Sequence, residues 1–336
     1  MNIQDIIQTA IAEKASDIFI VAGCPVEIKV NNKLMPLSAD KAMPSTTEML
    51  INEIYILARR DSKTTLHSQG DDDFSFAIAH VARFRVNVFR QRGSLAAVLR
   101  IVKFDIPKAE DLHIPQDIMN FASARKGLVI ISGPAGSGKS STVATLIDTI
   151  NKTRQAHIVT IEDPIEFLHS HNKSVVSQRE IGTDCVSTTT ALKAALRQAP
   201  DVLFVGEMRD LDTIALAITA AETGHLVFST LHTLGAANTV DRIIDVFPPA
   251  QQQQIRVQLS MVLQAVISQQ LIQDKEGNLL PVFEVMNSTP AVKNLIREGK
   301  THQLMNAISS SVNEGMISMD AMLVQLAKSG KIEIQE

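Results

Sequence analysis

Gly133-Pro134-Ala135-Gly136-Ser137-Gly138-Lys139-Ser140, followed by Ser141, is the stretch that decides the fold. It fits the pattern G-x-x-x-x-G-K-[S/T] at every fixed position. Its context also fits. An apolar run, Leu128–Ile131, stands before it, and Val143, Leu146, Ile147 and Ile150 follow at helical spacing. A strand, a glycine-rich turn and a helix in that order turn backbone N–H groups and a helix N-terminus toward one point. That arrangement suits phosphate. Lys139 is expected to reach the β- and γ-phosphates of ATP, and Ser140 to ligate Mg2+.

Working outward, three more short apolar runs appear: Ile158–Ile161, Val202–Val205 and Leu226–Phe228. Runs apolar at every position indicate strands buried on both faces, as in a parallel sheet. Helical stretches alternate with them; Leu192, Ala195, Leu196 and Ala199 form one apolar stripe. The expected fold is α/β. Beyond residue 250 the chain reads as mostly helical, and Gln251–Gln254, after Pro248-Pro249, reads as a loop entering a helix.

The residues after each strand carry the functional reading, because open α/β sheets bind ligands beyond the carboxyl ends of their strands. Glu162-Asp163 follows the second run, Gly206-Glu207 the third, and Ser229–Thr233, with His232, the fourth. Glu162 is placed to orient an attacking water or hold a metal shell. Glu207 stands one residue beyond the usual Asp position, held here by Gly206, and is the candidate to act on Mg2+ through water. Arg209 and Asp210 read as a surface ion pair. His232 reads as a γ-phosphate sensor. His225, seven residues earlier, lies roughly 23 Å away along an extended strand, so the two cannot share a metal. His169 and His171 make a poor metal pair and read as loop residues.

The first hundred residues have a different texture. Gln4–Lys14 reads as a helix. Ile18–Val21, Val26–Val30, Asp72–Ala79 and Arg83–Phe89 read as strands. In the last of these Phe84, Val86 and Val88 alternate with Arg83, Arg85 and Asn87. The arginines have three readings that periodicity does not separate: a nucleic-acid surface, a solvated strand face, or groups that reach nucleotide phosphate. Pro107 and Pro115 mark a linker over 103–115, between a domain at 1–102 and a domain at 116–336.

Composition narrows the classes. The 336 residues carry a net charge of −4 and 4% aromatics, which counts against a nucleic-acid protein. Two cysteines, Cys24 and Cys185, rule out a C-x-x-C redox or zinc motif and suit buried, inert thiols in a reducing compartment. No run approaches the roughly 20 apolar residues that span a bilayer. Met1 to Asp17 does not read as a signal peptide.

At this point four motifs in order resemble the type II/IV secretion ATPases and, within them, the PilT-like retraction motors of type IV pili. Besides the phosphate loop, Thr160-Ile-Glu-Asp-Pro-Ile-Glu166 looks like that family's Asp box. Val205-Gly-Glu-Met-Arg-Asp210 looks like its atypical Walker B, and Thr223-Gly-His-Leu-Val-Phe-Ser-Thr-Leu-His-Thr233 like its His box. Ala15-Ser-Asp-Ile-Phe-Ile20 resembles the entry to a PAS-like N-terminal domain. Ala291-Val-Lys-Asn-Leu-Ile-Arg-Glu-Gly-Lys300 resembles a segment associated with retraction.

The resemblance implies a RecA-like ATPase domain with a largely parallel sheet, a smaller α+β PAS-like domain, and a homohexameric ring with ATP between the two domains. It implies that Arg85 and Arg100 are arginine fingers. It implies a cytoplasmic motor docked at the inner membrane face, acting on the platform protein of the pilus machine, with a second retraction ATPase as a further partner. No nucleic acid is expected. Ala135, Phe19, Val292 and Lys293 depart from the family's usual residues. A longer N-terminal region and a four-cysteine zinc motif, typical of the assembly and secretion members, are not found in this sequence. The alternatives are a pilus-assembly or type II secretion ATPase, or a RecA-like nucleic-acid translocase.

Overall fold

Alternating apolar and polar residues build the first of two units, Met1–Asp105, in a computed structural model that describes residues 2–31, 33–60, 65–78, 81–102 and 106–333. Helix α1 (Ile3–Ala12) starts in a capping box between Asn2 and Asp5 and buries Ile3, Ile6, Ile7 and Ala10. Then come β1 (Asp17–Ile20), β2 (Glu27–Val30), β3 (Lys33–Pro36), α2 (Pro44–Leu57), α3 (Thr65–Gln69), β4 (Asp71–Ile78), β5 (Ala82–Gln91) and β6 (Ser94–Val102). The strands pair antiparallel in the order β3-β2-β1-β6-β5-β4. One face carries Ile18, Ile28, Phe84, Val86, Val88 and Leu99, all at most 1% exposed, against Leu50, Ile51 and Ile54 of α2. The alternation in 83–89 therefore reads correctly. Ala79, the end of the strand expected from Asp72, lies outside the described residues.

The second unit, Ile106–Glu336, contains α4 (Gln116–Met119), β7 (Gly127–Ser132), α5 (Lys139–Thr153), β8 (His157–Glu162), β9 (Val175–Glu180), α6 (Thr188–Ala195) and β10 (Val202–Val205). It continues through α7 (Leu211–Glu222), β11 (Leu226–Leu231), α8 (Ala236–Asp245), α9 (Pro249–Val262), β12 (Leu263–Gln273), β13 (Leu279–Asn287), α10 (Pro290–Arg297), α11 (Leu304–Ser310) and α12 (Met319–Lys328). The sheet order is β13-β12-β7-β11-β10-β8-β9, parallel throughout except for the β12–β13 hairpin. The second unit is thus an α/β fold, and the first is a smaller α+β unit.

Helices cover both faces of this sheet, which is why its strands are apolar at every position. Leu128, Ile130, Val159, Leu203 and Val227 face one core, with α6, α7, α8 and α9; Val129, Ile131, Ile158, Val202 and Phe228 face the other, with α5. All six residues of β7 and of β11 are buried.

Three expectations change. The region beyond 250 is not mostly helical, because β12 and β13 add eleven and nine residues of strand to the sheet. Gln251–Gln254 lies inside α9, which begins at Pro249, since proline at the first helical position loses no hydrogen bond. Of the stretch read as a linker, 103–105 lies outside the described residues. From Ile106 on it belongs to the second unit, where Pro107 O accepts from Thr145 Oγ1 at 3.1 Å and Ile114 joins the α5 core. No helix among the described residues is long and apolar enough to cross a membrane.

Candidate active site

The carboxyl ends of β7, β8, β10 and β11 open into one cleft of about 500 Å3, within the range of small-ligand sites. Its lining includes Ala135 to Ser141, Glu162, Glu166, Glu207, Arg209 and His232. The parallel register places these ends together: Val205 pairs with Ile161 and Ser229, and Leu231 with Ser132.

The phosphate loop leaves β7 and ends at Gly138, whose φ of +84° suits a residue without Cβ, before α5 begins at Lys139. Lys139 is 7% exposed, and its Nζ donates to the carbonyls of Gly133 and Pro134, both at 2.8 Å. Burial pulls its pKa down, while the nearby carboxylates of Glu207 and Glu166 act in the opposite direction. Ser137 Oγ is buried with no hydrogen-bond partner. A buried donor of this kind, a lysine and a helix N-terminus form a donor set that fits a phosphate chain.

Glu162 ends β8 and is 9% exposed. Its Oε1 accepts from Thr160 Oγ1 at 2.6 Å and from Gln178 Nε2 at 3.1 Å. Burial raises its pKa to about 7, against these hydrogen bonds, which favour the charged form. Gln178 also donates to Phe167 O and accepts from His169 N–H, so one β9 side chain holds both the carboxylate and the loop after it.

Glu207 meets two partners. Its Oε2 accepts from Arg209 Nε at 2.7 Å, and its Oε1 lies 3.3 Å from His232 Nε2. Arg209 is therefore a neighbour of the site and not the partner of Asp210. Asp210 instead caps α7, accepting from Thr213 N–H and Thr213 Oγ1 at 2.8 and 2.9 Å. At Gly206, which stands where Asp is usual, a Cβ would lie close to the backbone, 3.1 Å from Ile161 O. Thr230 Oγ1 donates to Gly206 O, fastening the strand that carries His232 to the strand that carries Glu207.

The other expectations separate. His225 Nδ1 lies 2.8 Å from Ala220 O and supports the end of α7, away from the cleft. His171 Nδ1 accepts from Val176 N–H. His169 lines the cleft, and burial lowers its pKa to about 4. No group of three or more His, Cys, Asp or Glu among the described residues can hold a metal by itself. Oxygens from Ser140 and Glu207 beside bound phosphates are the donor chemistry Mg2+ takes. Cys24 and Cys185 are free and half-buried rather than buried.

Arg85 and Arg100 belong to the first unit, directly opposite one another on β5 and β6. Arg100 Nε also donates to Asp17 Oδ1 at 3.1 Å. Sequence reading missed Arg209, Gln178 and Thr160. Arg209 had a usable signal, two positions from Glu207; Gln178 had none, because it stands on another strand, sixteen residues downstream of Glu162.

The family described as Type II/IV secretion system protein matches residues 1–302. The type IV pilus retraction ATPase PilT of Pseudomonas aeruginosa is 42% identical over 333 residues, covering 99% of this chain and 96% of that one. The twitching motility protein of Neisseria gonorrhoeae is 41% identical, covering 98% of this chain and 88% of its own length. The crystal structure of the pilus retraction motor PilT with bound ADP superposes with a TM-score of 0.91 at 43% identity, over 99% of this chain and 95% of that one.

Proposed function

Since the chain belongs to the type II/IV secretion system protein family and is an ATPase of the pilus-retraction type, we propose that it hydrolyses ATP at the four strand ends and works as a hexameric motor that withdraws type IV pilus fibres. The observation that carries this reading is the convergence of Lys139, Glu162, Glu207 and His232 on one cleft.

In this mechanism Gly133 to Ser141 wrap the phosphates with backbone N–H groups, and Lys139 exchanges its two loop carbonyls for phosphate oxygens. Ser140, together with Glu207 through water, would hold Mg2+, which would supply charge neutralisation at the phosphates. Glu162 takes the proton of the attacking water as the water oxygen bonds to the γ-phosphorus and the bond to the bridging β-oxygen breaks. Its raised pKa suits proton transfer near neutrality. His232, 3.3 Å from Glu207, reports the γ-phosphate to that carboxylate. Arg85 and Arg100 are the arginines assigned to transition-state charge.

The ring acts in the cytoplasm at the inner face of the membrane, on the platform protein of the pilus machine, alone or beside a second retraction ATPase. Net charge of −4 supports a protein partner over nucleic acid. Deleting the gene tests the direction of work. Abundant surface pili with loss of twitching is the expected result. Loss of pili would instead make the chain an assembly or secretion motor with the same chemistry.

A further inference from the structure

A buried glutamine lies behind the phosphate loop. Gln269, on β12, is 3% exposed, and its Oε1 accepts a 2.8 Å hydrogen bond from Thr142 Oγ1 in the first turn of α5. Thr142 is itself 1% exposed. The backbone oxygen of Gln269 lies 2.1 Å from where a Cβ on Gly133 would sit, and its Nε2 lies 2.9 Å from a Cβ on Gly138. Both glycines have positive φ, and the strand carrying Gln269 packs against the loop at each of them. Gln269 touches the loop from behind and does not line the cleft.

Its neighbours on the hairpin hold the other side of the site. Ser268 Oγ accepts from Gly235 N–H at 3.0 Å. Glu284, paired with Ser268 across the hairpin and 2% exposed, accepts from Ala236 N–H at 2.7 Å and from Met319 N–H at 3.4 Å. Gly235 and Ala236 close the loop that starts at His232. An apolar side chain would fill any of these places with less desolvation, so packing alone does not account for three buried polar groups in adjacent positions. Each of them is bonded to a segment that borders the nucleotide cleft.

We propose that Gln269 is a positioning residue for the phosphate loop, and that the β12–β13 hairpin sets the distance between that loop and His232, with Ser268 and Glu284 holding the histidine's side. This rests on the ATPase reading above. Two neighbouring positions on one strand then have separable effects. Gln269 governs how well phosphate is gripped, and Ser268 governs how the sensor meets it.

The test uses the full chain and three measurements: equilibrium binding of a fluorescent ADP analogue, kcat for ATP and the thermal midpoint. Gln269→Met and Thr142→Val each weaken binding about tenfold, the scale of one lost buried hydrogen bond. The double variant is no weaker than either single one, because the same bond is lost. Ser268→Ala binds the analogue normally and lowers kcat about tenfold. Wild-type binding in both single variants with only lower midpoints, additive losses in the double variant, or unchanged kcat in Ser268→Ala would each overturn the proposal. Should Gln269→Met not fold, Thr142→Val decides by itself. A wild-type chain that binds no ADP analogue refutes the ATPase reading instead, so the two failures are distinct.

Discussion

Glu162 carries two opposed demands. Its three hydrogen-bond donors, Thr160, Gln178 and the backbone of Glu166, favour the carboxylate, yet burial outweighs them and lifts its pKa from 4.5 to about 7. Catalysis by proton acceptance needs the ionised form, so kcat is expected to fall as pH drops below about 7. A flat pH–rate profile from 6 to 8 contradicts this role. Stability has the reverse dependence. The folded pKa lies above the unfolded one, so the contribution of this group is fully present below about 4.5 and is lost as pH rises to about 7. Glu162→Gln should therefore be more stable than the wild type at pH 8, by up to ~3 kcal/mol, with no such gain at pH 4. Urea midpoints at the two pH values measure it. The same variant should hydrolyse no ATP, which sets a functional carboxylate apart from a structural one.

At the scale of elements, the same few residues divide into holders and actors. Asp210 caps α7, so Asp210→Ala should lower unfolding free energy by ~1 kcal/mol, whereas Glu207→Ala, three residues earlier, should remove turnover and leave the denaturation midpoint nearly unchanged. Equal stability losses in both would show that Glu207 is a structural group.

This contrast also marks what was legible in the sequence. The four runs ending at Ile131, Ile161, Val205 and Phe228 were readable as strands because helices on both faces leave no polar position in them. The groups at their ends were then forced together by the parallel sheet. The hairpin β12–β13 was not legible. Leu263, Val266, Ile267 and Leu271 fall at i, i+3, i+4 and i+8, which suits a helix as well as a strand. Helix α9 also runs into β12 with no glycine or proline between Val262 and Leu263. Without that hairpin, Gln269 and its hold on the phosphate loop could not be anticipated. Strand β9 escaped for another reason: Val175–Glu180 is an edge strand with polar positions at Ser177, Gln178 and Arg179, and its partner choice is long-range.

At the scale of the whole molecule, the chain joins a nucleotide cleft built wholly within Ile106–Glu336 to a smaller α+β unit that carries Arg85 and Arg100. Family membership and the match along nearly the full length make pilus retraction the work to be explained, and ATP hydrolysis is the step on which it depends. The most direct measurement is steady-state phosphate release from ATP and Mg2+ by the purified full chain, beside Lys139→Ala and Glu207→Ala. The account predicts Mg2+-dependent turnover that falls about 100-fold or more in each variant, since each removes a charged group from the phosphate site. Turnover at the wild-type rate in both variants would contradict it.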